Sequence, residues 1–191
     1  MPNWCNNIVR ISHTDPKMIE QVRTAFNAGG LLQAFLPCPQ ELTDTVAGFM
    51  GEDKRAEHEA QQARNIEKYG YKDWYDWQVA NWGTKWDIGA DGMEAEDDGN
   101  GGLNLTFESA WSPPCGAYET LVEKFGFSIT AYYYEPGMAY VGKWEDGADD
   151  CFEYGGESSE TVRDVIGEEL DDMFCISEEM AQYEEEEAEN E

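Results

Sequence analysis

From Trp144 to Glu191 the chain carries 20 carboxylates and a single basic side chain, Arg163. Like charges at that density repel one another and favour solvated chain, so the main core has to be built from the residues before them. Residues 1–143 hold 21 acidic and 11 basic groups, and the seven Trp, eight Phe and ten Tyr of the chain supply bulky core material. A chain of 191 residues can bury about 70% of its unfolded surface, enough for one domain with appendages. The division expected is a folded domain over 1–143, with an insertion at about 35–85, followed by an acidic helical segment and tail over 144–191.

The net charge of −29 also limits partners. Such a field repels phosphate backbones and attracts basic proteins, which argues against direct nucleic-acid binding. The five cysteines, Cys5, Cys38, Cys115, Cys151 and Cys175, form no C-x-x-C pair. With no leading basic and apolar segment and no run of about 18 apolar residues, the expectation is a cytosolic protein with reduced thiols and no membrane contact.

Local pattern orders the elements. "WCNNIVRIS" alternates with Cys5, Asn7, Val9 and Ile11 on one side, as a half-buried strand does. Asp15-Pro16 then opens a helix whose face carries Met18, Ile19, Val22 and Phe26 and which Gly29-Gly30 stops. Pro37 and Pro39 forbid regular structure in "FLPCPQEL", and Glu52–Lys68 reads as a helix that buries little. An aromatic-faced helix with Tyr71, Trp74 and Trp77 leads into "ANWGTKWDIG", where Gly83 turns the chain and Trp86–Gly89 reads as a strand. Leu103, Leu105 and Phe107 mark another strand, Ser112-Pro113 opens a second helix, and "FSITAYYY" and "MAYVGKW" are strands joined by Glu135-Pro136-Gly137.

The order β-α-insert-β-β-α-β-β is an α+β, ferredoxin-like (split βαβ) antiparallel sheet with two helices on one face. The helix-facing set is Val9, Ile11, Leu105, Phe107, Ile129 and Ala131, and the other face carries Arg10, Thr106, Glu108, Tyr132 and Tyr134. The Trp-rich insert is the expected cover for that second face. Residues 157–172 read as one helix with the stripe Val162, Val165, Ile166, Leu170, Met173 and Phe174, and the last residues as disordered.

"MPNWCNN", "DWYDWQVANWGTKWD" at 73–87 and "FESAWSPP" at 107–114 together resemble the YubB ferredoxin-like family of phage and plasmid accessory proteins. The resemblance spans about residues 1–143 and leaves out the acidic tail. It implies the same fold and a mobile-element origin, and supplies no settled activity, cofactor or catalytic residue.

No complete catalytic constellation follows from the residues. Cys115, expected in the first turn of the second helix, lacks a base in sequence relation to it, since His13 and His58 lie elsewhere. The carboxylates Asp87, Asp91, Glu94, Glu96, Asp97 and Asp98 do not fit a calcium-loop spacing and read as a solvated loop, so neither metal nor cofactor is expected. The acidic segment is more telling: 19 net charges in 48 residues approach the linear charge of a DNA strand if helical.

The leading expectation is a non-enzymatic accessory protein that engages a basic host protein, such as a nuclease, a restriction enzyme or another defence component. Its surface would comprise Asp91, Glu94, Glu96, Asp97 and Asp98 with Glu157, Glu160, Asp164, Glu168, Glu169, Asp171 and Asp172. Alternatives are a small-ligand or enzymatic site at the Trp-rich insert, with Asn81, Thr84, Lys85 and Asp87 as polar groups, and a homodimer. Between site and clamp for the Trp-rich motif, the sequence favours a clamp fastening the insert to the core.

Overall fold

The computed structural model describes residues 3–90 and 95–190, apart from the side chain of Asn190. A six-stranded antiparallel sheet runs β2-β3-β1-β4-β5-β6. Its strands are β1 (Trp4–Ser12), β2 (Glu96–Asp97), β3 (Leu103–Ala110), β4 (Ser128–Glu135), β5 (Tyr140–Glu145) and β6 (Ala148–Glu153). The strands β3 and β4 flank β1, each antiparallel to it, and so run parallel to each other. The chain passes between them through α6 (Cys115–Thr120), continued by a π-helical turn at Leu121–Phe125, which makes the split β-α-β arrangement.

Period-two alternation explains why one face of this sheet is buried. Val9, Ile11, Leu105, Phe107, Ile129 and Ala131 all lie in the main core, beneath α1 (Pro16–Asn27) and α6. From α1 come Ile19, Val22 and Phe26, and from α6 Ala117 and Tyr118. Asp15 caps α1 by accepting from the Lys17 amide at 2.9 Å, with Pro16 at the first helical position.

Between α1 and β2 run α2 (Leu31–Phe35), α3 (Gln40–Thr43), α4 (Arg55–Tyr69) and α5 (Trp74–Trp82). The helix α4 buries only Asn65, in keeping with the expectation of a helix that buries little. The expected strand at Trp86–Gly89 is absent, and a two-residue strand, β2, pairs with β3 instead. The cause is Asp87, whose carboxylate accepts from the amides of Leu32 and Gln33 at 2.7 and 3.0 Å and of Ile88 at 2.8 Å, which ties this stretch to α2. Ser112 does not cap α6, which begins after Pro114. Its hydroxyl donates to the Gly83 carbonyl and anchors the turn after α5.

The largest departure concerns the second face. Its cover is the acidic carboxy-terminal segment rather than the Trp-rich insert. A separate core of Tyr134, Val141, Tyr154, Val162, Ile166, Leu170 and Ile176 forms where α7 (Val162–Ile166), α8 (Glu168–Phe174) and α9 (Ile176–Asn190) lie against β4 and β5. The single helix expected over 157–172 is broken at Gly167, whose φ of +84° suits glycine, and the residues expected to be disordered form α9 as far as 190. Burying a Val, Leu or Ile side chain contributes roughly 1.5–3 kcal/mol each, which is what holds this charged segment to the sheet.

Candidate functional site

Two regions compete for the role of site. The Trp-rich motif builds the first. Asp73 caps α5 by accepting from the amides of Tyr75 and Asp76 at 3.1 and 3.2 Å, and Gly83 ends it with φ +86°. A Cβ on Gly83 would lie 3.1 Å from both the Pro113 carbonyl oxygen and the Cys115 amide nitrogen, so the turn fits only glycine against the start of α6. Trp82 is buried against Trp77, their rings 5.8 Å apart, and its indole donates to the Leu36 carbonyl at 2.9 Å.

The four polar residues expected to form a ligand site are divided among other tasks. Asn81 donates to the Trp77 carbonyl at 2.8 Å, and the buried Thr84 hydroxyl to that of Ala110 at 2.9 Å. Asp87 caps α2, and burial raises its carboxyl pKa against the opposing pull of the three amides. Lys85 is half-buried, its ammonium 4.6 Å from the Trp86 ring centre and 5.7 Å from that of Tyr75. Trp86 stays partly exposed and packs on Trp4 at 5.8 Å.

The second region is acidic. Asp91 and Glu94 lie outside the described residues. Glu96 is exposed, Asp97 pairs with Arg23, and Asp98 accepts from the amides of Asn100 and Gly102, which lowers its pKa. Loop and tail therefore hold different kinds of carboxylate. In the tail Arg163 meets Glu168 at 3.1 Å, Asp171 at 3.4 Å and Asp172 at 2.8 Å. Asp171 is 2% exposed and accepts from the Ser177 amide and hydroxyl at 2.8 and 2.7 Å, so it joins α8 to α9 and faces no partner. Glu157 accepts from Thr161, Glu169 from Tyr132, while Glu160 and Asp164 are exposed.

Carboxylates missing from the sequence expectation prove more prominent. The edge strand β6 exposes Asp149, Asp150 and Glu153, and α9 carries Glu178, Glu179, Glu184, Glu185, Glu186, Glu187 and Glu189. Seven acidic residues in a 15-residue helix at about 1.5 Å rise give one per roughly 3.2 Å. That is close to the charge spacing of one B-DNA strand, about 3.4 Å. The last residues, expected to be disordered, form this helix as far as 190.

Residues 81–190, more than half of the chain, match the family model described as "Ferredoxin-like domain in Api92-like protein". The chain belongs to that Api92-like family. The match runs through β6 and the acidic helices, so in the Api92-like domain these elements fall inside the family pattern. A crystal structure of a protein api92 from Yersinia pseudotuberculosis is similar over 82% of this chain and 99% of that one, at 13% identity and a TM-score of 0.40. No curated protein matches.

Neither Cys115 nor Cys5 is disposed to act as a nucleophile. Cys115 is half-buried and its pKa is raised, first by desolvation and then by nearby carboxylates, which opposes thiolate formation. Burial pushes Cys5 up to about 12. His13 contacts the Phe125 carbonyl and His58 that of Val46, neither near a cysteine sulfur in hydrogen-bond range. Among the described residues no three His, Cys, Asp or Glu groups converge as metal ligands, and no helix is long and apolar enough to cross a membrane.

Proposed function

We propose that this Api92-like protein acts by binding a basic protein through its carboxy-terminal acidic surface, presenting α9 and the β6 edge as a stand-in for a nucleic-acid strand. The carrying observation is the spacing of seven carboxylates along one helix that is held on the sheet by Ile176 and the core around it. A solvated, featureless tail would show the same composition, but it would lack this ordered docking. A basic groove evolved for phosphates would gain both charge complementarity and steering from such a helix.

The finer reading is an anti-defence role for a phage or plasmid accessory protein. The likeness of "MPNWCNN" and the Trp-rich motif to the YubB family supports it, because mobile elements gain from blocking nucleases and restriction systems. The test is capture from host lysate by the full chain and by a variant with Glu184, Glu185, Glu187 and Glu189 changed to Gln, at about 50 and 300 mM salt. Capture of basic, nucleic-acid-binding proteins that weakens with salt and with the variant is the expected result. Partners that are not basic, or capture indifferent to both changes, sink the proposal.

A further inference from the structure

The recess beside α5 is not used by the acidic surface. Its volume is about 660 Å³, and Lys72, Asp73, Trp74, Tyr75, Lys85 and Trp111 line it. Three features converge there. Trp111 is 47% exposed and Tyr75 38%, so large rings stand open to solvent in one concavity. Trp111 also holds a left-handed backbone with φ +72°, a conformation unfavourable for any residue but glycine. It is fixed there by its amide donating to the Asn3 carbonyl at 3.0 Å and its carbonyl accepting from the Tyr140 hydroxyl at 2.8 Å.

The polar groups narrow the guest. Lys85 makes no ion pair among the described residues, although acidic side chains outnumber basic ones 41 to 12. Lys72 pairs with Asp76 at 3.0 Å at the same recess. Asp73 has no exposed surface, so its carboxylate lies beneath the recess, out of a guest's reach. The guest that answers these features is flat and anionic at one end.

We propose that this recess binds a nucleoside monophosphate. The base stacks on Trp111, and the phosphate meets Lys85 with Lys72 at the rim. A cationic guest would meet the Lys85 ammonium, which already occupies the faces of Tyr75 and Trp86. A sugar alone would leave Lys85 unanswered. A long phosphate chain would cross a protein of net charge −29, whereas a mononucleotide brings its charge only to the lysines. The recess lies within the usual range of small-ligand sites, about 300–1,000 Å³.

Calorimetric titration of the full chain with AMP, GMP, adenosine and a ten-residue oligothymidylate tests this. Expected are binding of AMP or GMP with a Kd between about 10 µM and 1 mM, and adenosine weaker by about fivefold or more. Lys85→Ala should erase the gap between AMP and adenosine. Trp111→Gly should weaken binding by about tenfold or more while the melting temperature holds or rises, since glycine accepts the positive φ. Silence towards both nucleotides, adenosine binding equal to AMP, tighter binding of the oligothymidylate, or undiminished binding by Trp111→Gly each overturns the proposal. These outcomes are separate from the lysate capture, which involves neither Lys85 nor Trp111.

Discussion

The two faces of one sheet are built to different standards. Beneath α1 and α6 the core is broad and aromatic, with Phe35 packed on Phe125 at 5.3 Å, Tyr118 on Trp144 at 5.4 Å, and Trp77 and Trp82 buried beside them. Beneath α7–α9 it narrows to Tyr134, Val141, Tyr154 and four aliphatic side chains, and the covering helices are interrupted at Gly167 and at Cys175, whose φ is +54°. Cooperative units follow contact density, so the acidic cover should open at lower free energy than the sheet beneath it. The side that bears the charge is the side held more loosely.

Trp82→Ala should break the stronger side. It empties a site that is 1% exposed and removes the donor to the Leu36 carbonyl, so a loss of about 3–5 kcal/mol is expected in urea denaturation. A loss below about 1 kcal/mol would mean that the Trp-rich motif does not fasten the insert to the core.

Leu170→Ala probes the weaker side and should cost about 2–4 kcal/mol locally. Hydrogen exchange followed by mass spectrometry should then show faster exchange in α7–α9 while β1 and β3 keep their protection. Uniform loss of protection would make both faces one cooperative unit and erase the contrast.

How much of this was legible in the sequence depends on how local each cause is. The alternation in β1 and β3, the Asp15-Pro16 start of α1 and the Gly83 turn were legible because neighbouring residues determine them. The strand expected at Trp86–Gly89 failed because Asp87 serves amides more than 50 residues away at Leu32 and Gln33. The apolar stripe from Val162 to Phe174 was visible, but a stripe does not name the surface it docks on. The aromatic recess was the least legible. It depends on the backbone twist at Trp111 and on Lys72 and Lys85, from either side of α5, lining one recess, and no periodicity encodes either.

Carboxylates that accept from backbone amides do similar work on both faces, which permits a smaller test. Asp87→Ala strands the Leu32, Gln33 and Ile88 amides, and Asp171→Ala strands the Ser177 amide and hydroxyl beside Arg163. Each should cost about 1–3 kcal/mol. Circular dichroism melts should show a lowered whole-protein transition for Asp87→Ala, and for Asp171→Ala a loss of helical signal before the main transition. A single lowered transition in both would argue against a separable acidic cover.

The smallest effect is a pH effect at Glu184, which ties α9 to the start of the segment by accepting from the Ser159 amide and hydroxyl at 2.9 and 2.7 Å. The hydroxyl and the amide lower its pKa below 4.5. A depressed folded-state pKa means that the tie stabilises fully above the unfolded value and is lost as pH falls through the folded one. Acidification also relieves repulsion among the other α9 carboxylates, which acts in the opposite direction. Comparing wild type with Glu184→Gln separates the two, since the variant keeps most of the repulsion and lacks the ionised tie. The wild type should hold a small stability advantage in α9 hydrogen exchange near pH 6 that shrinks towards zero near pH 3. An advantage that grows on acidification would show that α9 is positioned by the core around Ile176 and not by this tie.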